Sequence, residues 1–106
     1  MDLAVLSYGI TKKFPKDELF GLTSQMRRSA SSVAANIAEG HGRENSGSFV
    51  QFLRIAQGSL KETETHLILA GRLKLAAQNE IEGAIKQCED IGRMLRALIR
   101  SIQAKQ

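Results

Sequence analysis

A single proline, Pro15, interrupts 106 residues, and the glycines bunch only once, at Gly40, Gly42 and Gly47. A sheet of short strands needs turn residues at close, regular intervals, and this chain lacks them. Between the breaks, apolar residues return every three or four positions, which is the α-helical period. The expected fold class is therefore all-α. Because 106 residues can bury roughly 65% of the unfolded surface, one core and one domain, 1–106, are expected.

Four segments carry the helical period. The first, Asp2 to Lys13, holds Leu3, Val5, Leu6 and Ile10 and stops where Pro15 disfavours helix at Phe14. The second runs from about Leu22 to Ala38, with Leu22, Met26, Ala30, Val33 and Ile37 on one stripe. Behind that stripe lie Ser24, Ser31, Ala34, Ala35 and Ala38, small enough to admit a second contact, from another subunit for example. Glu39 to Gly47 reads as a loop, its glycines suited to the left-handed conformations in which helices end.

The third helix is expected over Ser48 to Arg72, roughly 37 Å long at 1.5 Å per residue. Phe49, Phe52, Leu53, Ala56, Leu60, Thr63, Leu67 and Ala70 share one face, while Arg54, Lys61 and Arg72 line up as a basic edge on its flank. After the linker LKLAAQ, Asn79 and Glu82 have the spacing of a capping box. The fourth helix follows to about Gln103, with Ile81, Ile85, Cys88, Ile91, Leu95, Leu98, Ile99 and Ile102 inward and Lys86, Arg93, Arg96 and Arg100 on the other side. Short connections make consecutive helices antiparallel, so the architecture expected is an up-and-down four-helix bundle.

Little in the chain points to catalysis, and no catalytic residue or cofactor is expected. Glu62 and His66 are four apart, whereas a bundle metal site uses Glu-x-x-His, so no metal is expected and His66 reads as exposed. Cys88 sits on an apolar stripe, where a thiol is inert packing. Ser29, Ser31 and Ser32 have no His near them in sequence, and no phosphate-binding glycine loop is present. Asn36, Glu39 and Arg43 put an amide, a carboxylate and a guanidinium at one helix end. They read either as a structural polar cluster or as a ligand pocket, and an inward-facing cavity there would revive an enzyme reading.

The excess charge is the clearer signal. There are 15 Lys and Arg against 11 Asp and Glu, and beyond Asp90 the chain holds Arg93, Arg96, Arg100 and Lys105 with no acid. Arg93, Arg96 and Arg100 fall on one side of the fourth helix, about 130° from its apolar stripe, so packing does not require their charge. Two readings compete: a solvated surface that also complements the helix dipole, and a phosphate-binding face. Tyr8, Phe14, Phe20, Phe49 and Phe52 read mostly as core, so nucleic-acid contact would be to the backbone, through Arg93, Arg96 and Arg100 with Arg54, Lys61 and Arg72 as a second face. One cysteine and an opening without a signal-peptide pattern suggest the cytoplasm, with no membrane partner.

Two stretches, KKFPKDELFGLTSQMRRSASSVAANIAEGHGR (Lys12 to Arg43) and FVQFLRIAQGSLKETETHL (Phe49 to Leu67), give the chain a family likeness. It resembles the four-helix-bundle proteins encoded within intervening sequences of bacterial 23S rRNA genes. That resemblance implies a homo-oligomeric ring, typically a pentamer. It further implies kinship with the basic accessory proteins of diversity-generating retroelements, which associate with nucleic acid and a reverse transcriptase. Relatives usually begin with a longer first helix, so a shortened bundle edge is expected here. The leading expectation is a non-enzymatic homo-oligomer that binds RNA or another nucleic acid. The alternative is an assembly scaffold for an unknown protein partner, with no nucleic-acid role.

Overall fold

The computed structural model describes residues 2–16 and 19–105, except for the side chains of Leu19 and Phe20. Phe20, expected in the core, therefore lies outside the description. Among the described residues four α-helices form: α1 (Asp2–Thr11), α2 (Ser24–His41), α3 (Ser46–Arg72) and α4 (Gln78–Ala104). A π-helical turn, Leu19–Thr23, leads into α2. No strand occurs among these residues.

The expected stripes form the core. Leu3 and Ile10 of α1, Met26, Ala30 and Val33 of α2, Leu53, Ala56, Leu60 and Leu67 of α3, and Ile81, Cys88, Leu95 and Ile99 of α4 are buried together. Val5 and Tyr8 depart from expectation, being 70% and 53% exposed, because they lie off the Leu3–Ser7–Ile10 face that α1 turns inward.

Consecutive helices run antiparallel. Arg28 pairs with Glu62 and Ser32 with Ser59, so α2 descends as α3 rises. Leu60 lies against Gly92 and Gly71 against Ile81, which sets the same relation between α3 and α4. Thr11 meets Arg27, and Lys13 reaches Glu80 at 3.4 Å, bringing α1 alongside both α2 and α4. The up-and-down bundle is thus closed by α1 against α4. With 10 residues beside 27, α1 flanks only part of its neighbour.

Two of the helix-end expectations fail for identifiable reasons. The second helix continues through Glu39, Gly40 and His41 instead of stopping at Ala38, and no described glycine has a positive φ. Gly40 is needed for space. A Cβ there would stand 2.8 Å from Phe49 Cδ1 and 3.1 Å from Phe52 Cβ, where α3 crosses closely. Helix α4 starts after Ala77, whose extended backbone offers its carbonyl to the amides of Glu80 and Ile81, so Asn79 is already inside the helix and caps nothing. By contrast, Asn45 caps α3 by accepting from the Ser48 amide at 2.8 Å.

The one described non-glycine residue with positive φ is Lys74 (φ 58°), just after α3. Its amide donates to the Gly71 carbonyl and that of Leu75 to the Ala70 carbonyl, the paired bonds of a Schellman ending. The chain reverses there into α4.

Candidate nucleic-acid interface

The basic residues of α4 project as the helical period requires. Arg93, Arg96 and Arg100 are exposed, opposite a buried face of Cys88, Gly92, Leu95 and Ile99. Between α3 and α4 runs a groove of about 460 Å³ floored by Leu60, Cys88 and Gly92. Lys61 borders it from α3, and Arg93 and Arg96 border it from α4. Gly92 keeps that floor low. A Cβ there would lie 3.3 Å from Arg96 Nη1 and 3.5 Å from Leu60 Cδ2, so Arg96 folds back over a position without a side chain.

The two basic sets expected from sequence therefore merge in part. Lys61 joins Arg93 and Arg96 across the groove, and the antiparallel register brings Arg54 level with Leu98, near the Arg96–Arg100 end. Arg72 stands apart, about 16 Å along α3 from Lys61 at the helical rise. It borders a separate shallow depression with Ile68, Gln78 and Ile85.

Acids interleave with these cations. Glu64 and Glu89 border the same groove. Arg93 is bonded to Asp90, and Lys61 lies 3.7 Å from Glu64. Arg96 and Arg100 make no ion pair among the described residues. Exposed pairs contribute at most about 1 kcal/mol and are screened by salt, so a phosphate can displace a carboxylate partner at little cost. Arg96 and Arg100 are the readiest donors.

Asn36, Glu39 and Arg43 resolve into two separate local contacts. The Asn36 amide donates to Ser32 O at 2.8 Å and Ser32 Oγ at 3.0 Å. Arg43 pairs with Glu39 at 2.7 Å and lies over the Phe52 ring, 4.7 Å from its centroid. Each group is occupied by a neighbour, which favours the structural reading over a ligand pocket.

His66, expected exposed, is half-buried beside Glu62 at 3.3 Å, and Arg28 holds the same carboxylate. Burial first, then the charges of Glu64 and Glu89, push the Cys88 thiol up to about 12. It is fully protonated at neutral pH and poorly suited to nucleophilic work. Among the described residues no helix is long and apolar enough to cross a membrane.

Arg27 and Arg28 carry no sequence signal of a site, since both sit inside a helical run with no basic stripe. Only the pairing of α1 with α2 and of α2 with α3 shows their different surroundings: Arg27 meets Thr11 and Tyr8, and Arg28 meets Glu62.

Comparison with known proteins agrees with this architecture. The crystal structure of a protein of unknown function from the S23 ribosomal protein family of Bacteroides thetaiotaomicron VPI-5482 superposes with a TM-score of 0.83 at 26% identity, covering 92% of each chain. Comparison with curated protein sequences returned no match. A profile described as 23S rRNA-intervening sequence protein matches residues 1–97. With four antiparallel helices in the expected order and a family profile matching nearly its whole length, this chain belongs to the 23S rRNA-intervening sequence protein family.

Proposed function

We propose that this chain is a non-enzymatic, homo-oligomeric bundle that binds the backbone of RNA or another nucleic acid. The observation that carries the reading is the α4 row, in which Arg96 and Arg100 are exposed on the side away from the core without an acidic partner among the described residues, beside Arg93, with Lys61 across the groove. Guanidinium forks match phosphate oxygens in shape and charge. The few aromatics favour backbone contact over base reading. Phe14 is buried and Phe49 and Phe52 are half-buried, while the exposed Tyr8 is covered by Arg27. Assembly into a ring, with a pentamer expected, would repeat the patch and raise avidity without any new contact type.

A second reading, an assembly scaffold for a protein partner, has its own support. A groove of about 250 Å³ bounded by Leu3, Val33, Ile37, Ile91 and the 56% exposed Met94 offers apolar surface to another chain.

Charge reversal separates the two readings. The triple variant R93E/R96E/R100E is expected to lose RNA binding across unrelated sequences and to flatten the log–log salt slope by about 2 to 3. Helicity and assembly mass should not change. Parental retention on RNA at low salt, lost in the variant, supports the nucleic-acid reading. A parent that shows no retention hands the function to the scaffold reading.

A further inference from the structure

The segment joining α1 to α2 and the first two turns of α2 carry two adjacent pairs of cations, Lys12–Lys13 and Arg27–Arg28. One member of each pair is neutralised. Lys13 reaches Glu80 at 3.4 Å, and Arg28 bonds Glu62 and Gln25. The other members, Lys12 and Arg27, line a single small cavity of about 150 Å³, joined there by Lys16. Asp17 and Glu18, next in sequence, lie outside the described residues.

Arg27 is held in place. Its Nε donates to Thr11 Oγ1 at 2.8 Å, and Thr11 in turn donates to the Ser7 carbonyl at 2.7 Å. The guanidinium lies 4.4 Å from the Tyr8 ring centroid. Two contacts thus fix the plane of the fork, while its terminal nitrogens make no hydrogen bond among the described residues. This is how a guanidinium is prepared to receive two oxygens at once.

Thr23 supplies an independent sign. It lines the same cavity and is 3% exposed, and its Oγ1 has no hydrogen-bond partner among the described residues. It occupies the N-cap position of α2 without making a side-chain cap. A buried hydroxyl left unsatisfied is destabilising, and a ligand oxygen beside it would relieve that cost.

We infer that Thr23, Arg27, Lys12 and Lys16 form a binding site for a single phosphate group. A cavity of this size is smaller than those that hold drug-sized ligands and has room for a tetrahedral oxyanion. Three cations and a fixed fork favour a dianionic phosphate over a monovalent anion. The site is separate from the α4 arginines and does not depend on them.

The test is calorimetric titration of the intact chain with inorganic phosphate, at constant ionic strength made up with chloride. Saturable binding is expected, weakened at least about fivefold in R27K, because an ammonium cannot replace the fork. Thr23→Val should weaken binding as well. Its ligand-free melting temperature should stay level or rise, since the variant removes an unsatisfied hydroxyl. A merely structural Thr23 would leave phosphate affinity alone. R93E/R96E/R100E should bind phosphate like the parent, so loss of RNA binding in that variant and loss of this site are read separately. The source of the phosphate is resolved by two oligonucleotides of one sequence. Preference for the 5′-phosphorylated form over the 5′-hydroxyl form, competed by inorganic phosphate, identifies a nucleic-acid end, whereas equal binding of both identifies the free ion. Absence of saturable heat, or unchanged phosphate affinity in both R27K and T23V, overturns the inference.

Discussion

The contacts of α3 with α2 and with α4 are built from different materials. Toward α2 it presents hydroxyls: Thr63 donates to Ser29 at 2.9 Å and Ser59 lies 2.8 Å from Ser32, with Thr63 and Ser29 fully buried. Toward α4 it presents Leu60, Leu67 and Ala70 against Ile81, Cys88, Gly92 and Leu95, beneath a groove edged with long charged side chains. Helix separation follows the size of the side chains at the crossing. Short hydroxylated residues that satisfy one another close the α2–α3 seam, whereas Lys61, Arg93 and Arg96 stand along an open one. The open seam is the one suited to a ligand.

Substitutions can break this contrast. Leu60→Ala removes the groove floor and is expected to cost about 3 kcal/mol in denaturant unfolding, through lost burial and the cavity left behind. A change below about 1 kcal/mol would mean that the α3–α4 contact is looser than Leu60, 3% exposed, indicates.

The glycines offer a finer comparison. Gly40→Ala is expected to destabilise by about 1 kcal/mol: Phe52 Cβ, 3.1 Å away, is fixed to the α3 backbone, and the overpacking outweighs the helix-propensity gain. Gly83→Ala on α4, where an added Cβ meets nothing within 4 Å, should instead stabilise by about 0.5 to 1 kcal/mol. Melting curves for the pair report the tightness of the seam with the propensity effect controlled. Stabilisation by both substitutions would refute a close α2–α3 approach.

A different kind of effect concerns pH. Cys88 is pushed from 9.0 up to about 12 in the folded chain, chiefly by burial, so the folded state keeps its proton where the unfolded state releases it. Its contribution is complete below pH 9 and declines as pH rises toward 12. The stability difference between the parent and Cys88→Ala should therefore shrink between pH 9 and pH 11, and a constant difference would show that the thiol is not buried as described.

Much of this was legible in the sequence because helix stripes are local. The runs Met26–Ala30–Val33 and Leu53–Ala56–Leu60–Leu67 identify their own inward faces, and the exposure of Arg93, Arg96 and Arg100 follows from the same period. Pairings across elements were not legible. That Asp90 takes Arg93 could be guessed from spacing, but the meeting of Lys61 with Arg96 depends on the α3–α4 register, and the orientation of Arg27 depends on α1 lying beside it. Gly40 read as a loop residue because its helical role is set by Phe49 and Phe52 on another element. Asn79 misled because an extended Ala77 began the helix earlier.

The order of contacts along the chain also bears on time. Among the described residues the α1–α2, α2–α3 and α3–α4 interfaces each join sequence neighbours, and the main link between distant segments is α1 against α4, reinforced just beyond α1 by Lys13 and Glu80, 67 positions apart. Loop closure is cheap for the former and dearest for the latter. Such a chain should collapse quickly for its size, beginning at the hydroxyl-lined hairpin of α2 and α3. Docking of α1 onto α4 is then the last event in folding and the first to be undone, so protease cleavage or hydrogen exchange in native conditions should begin in α1.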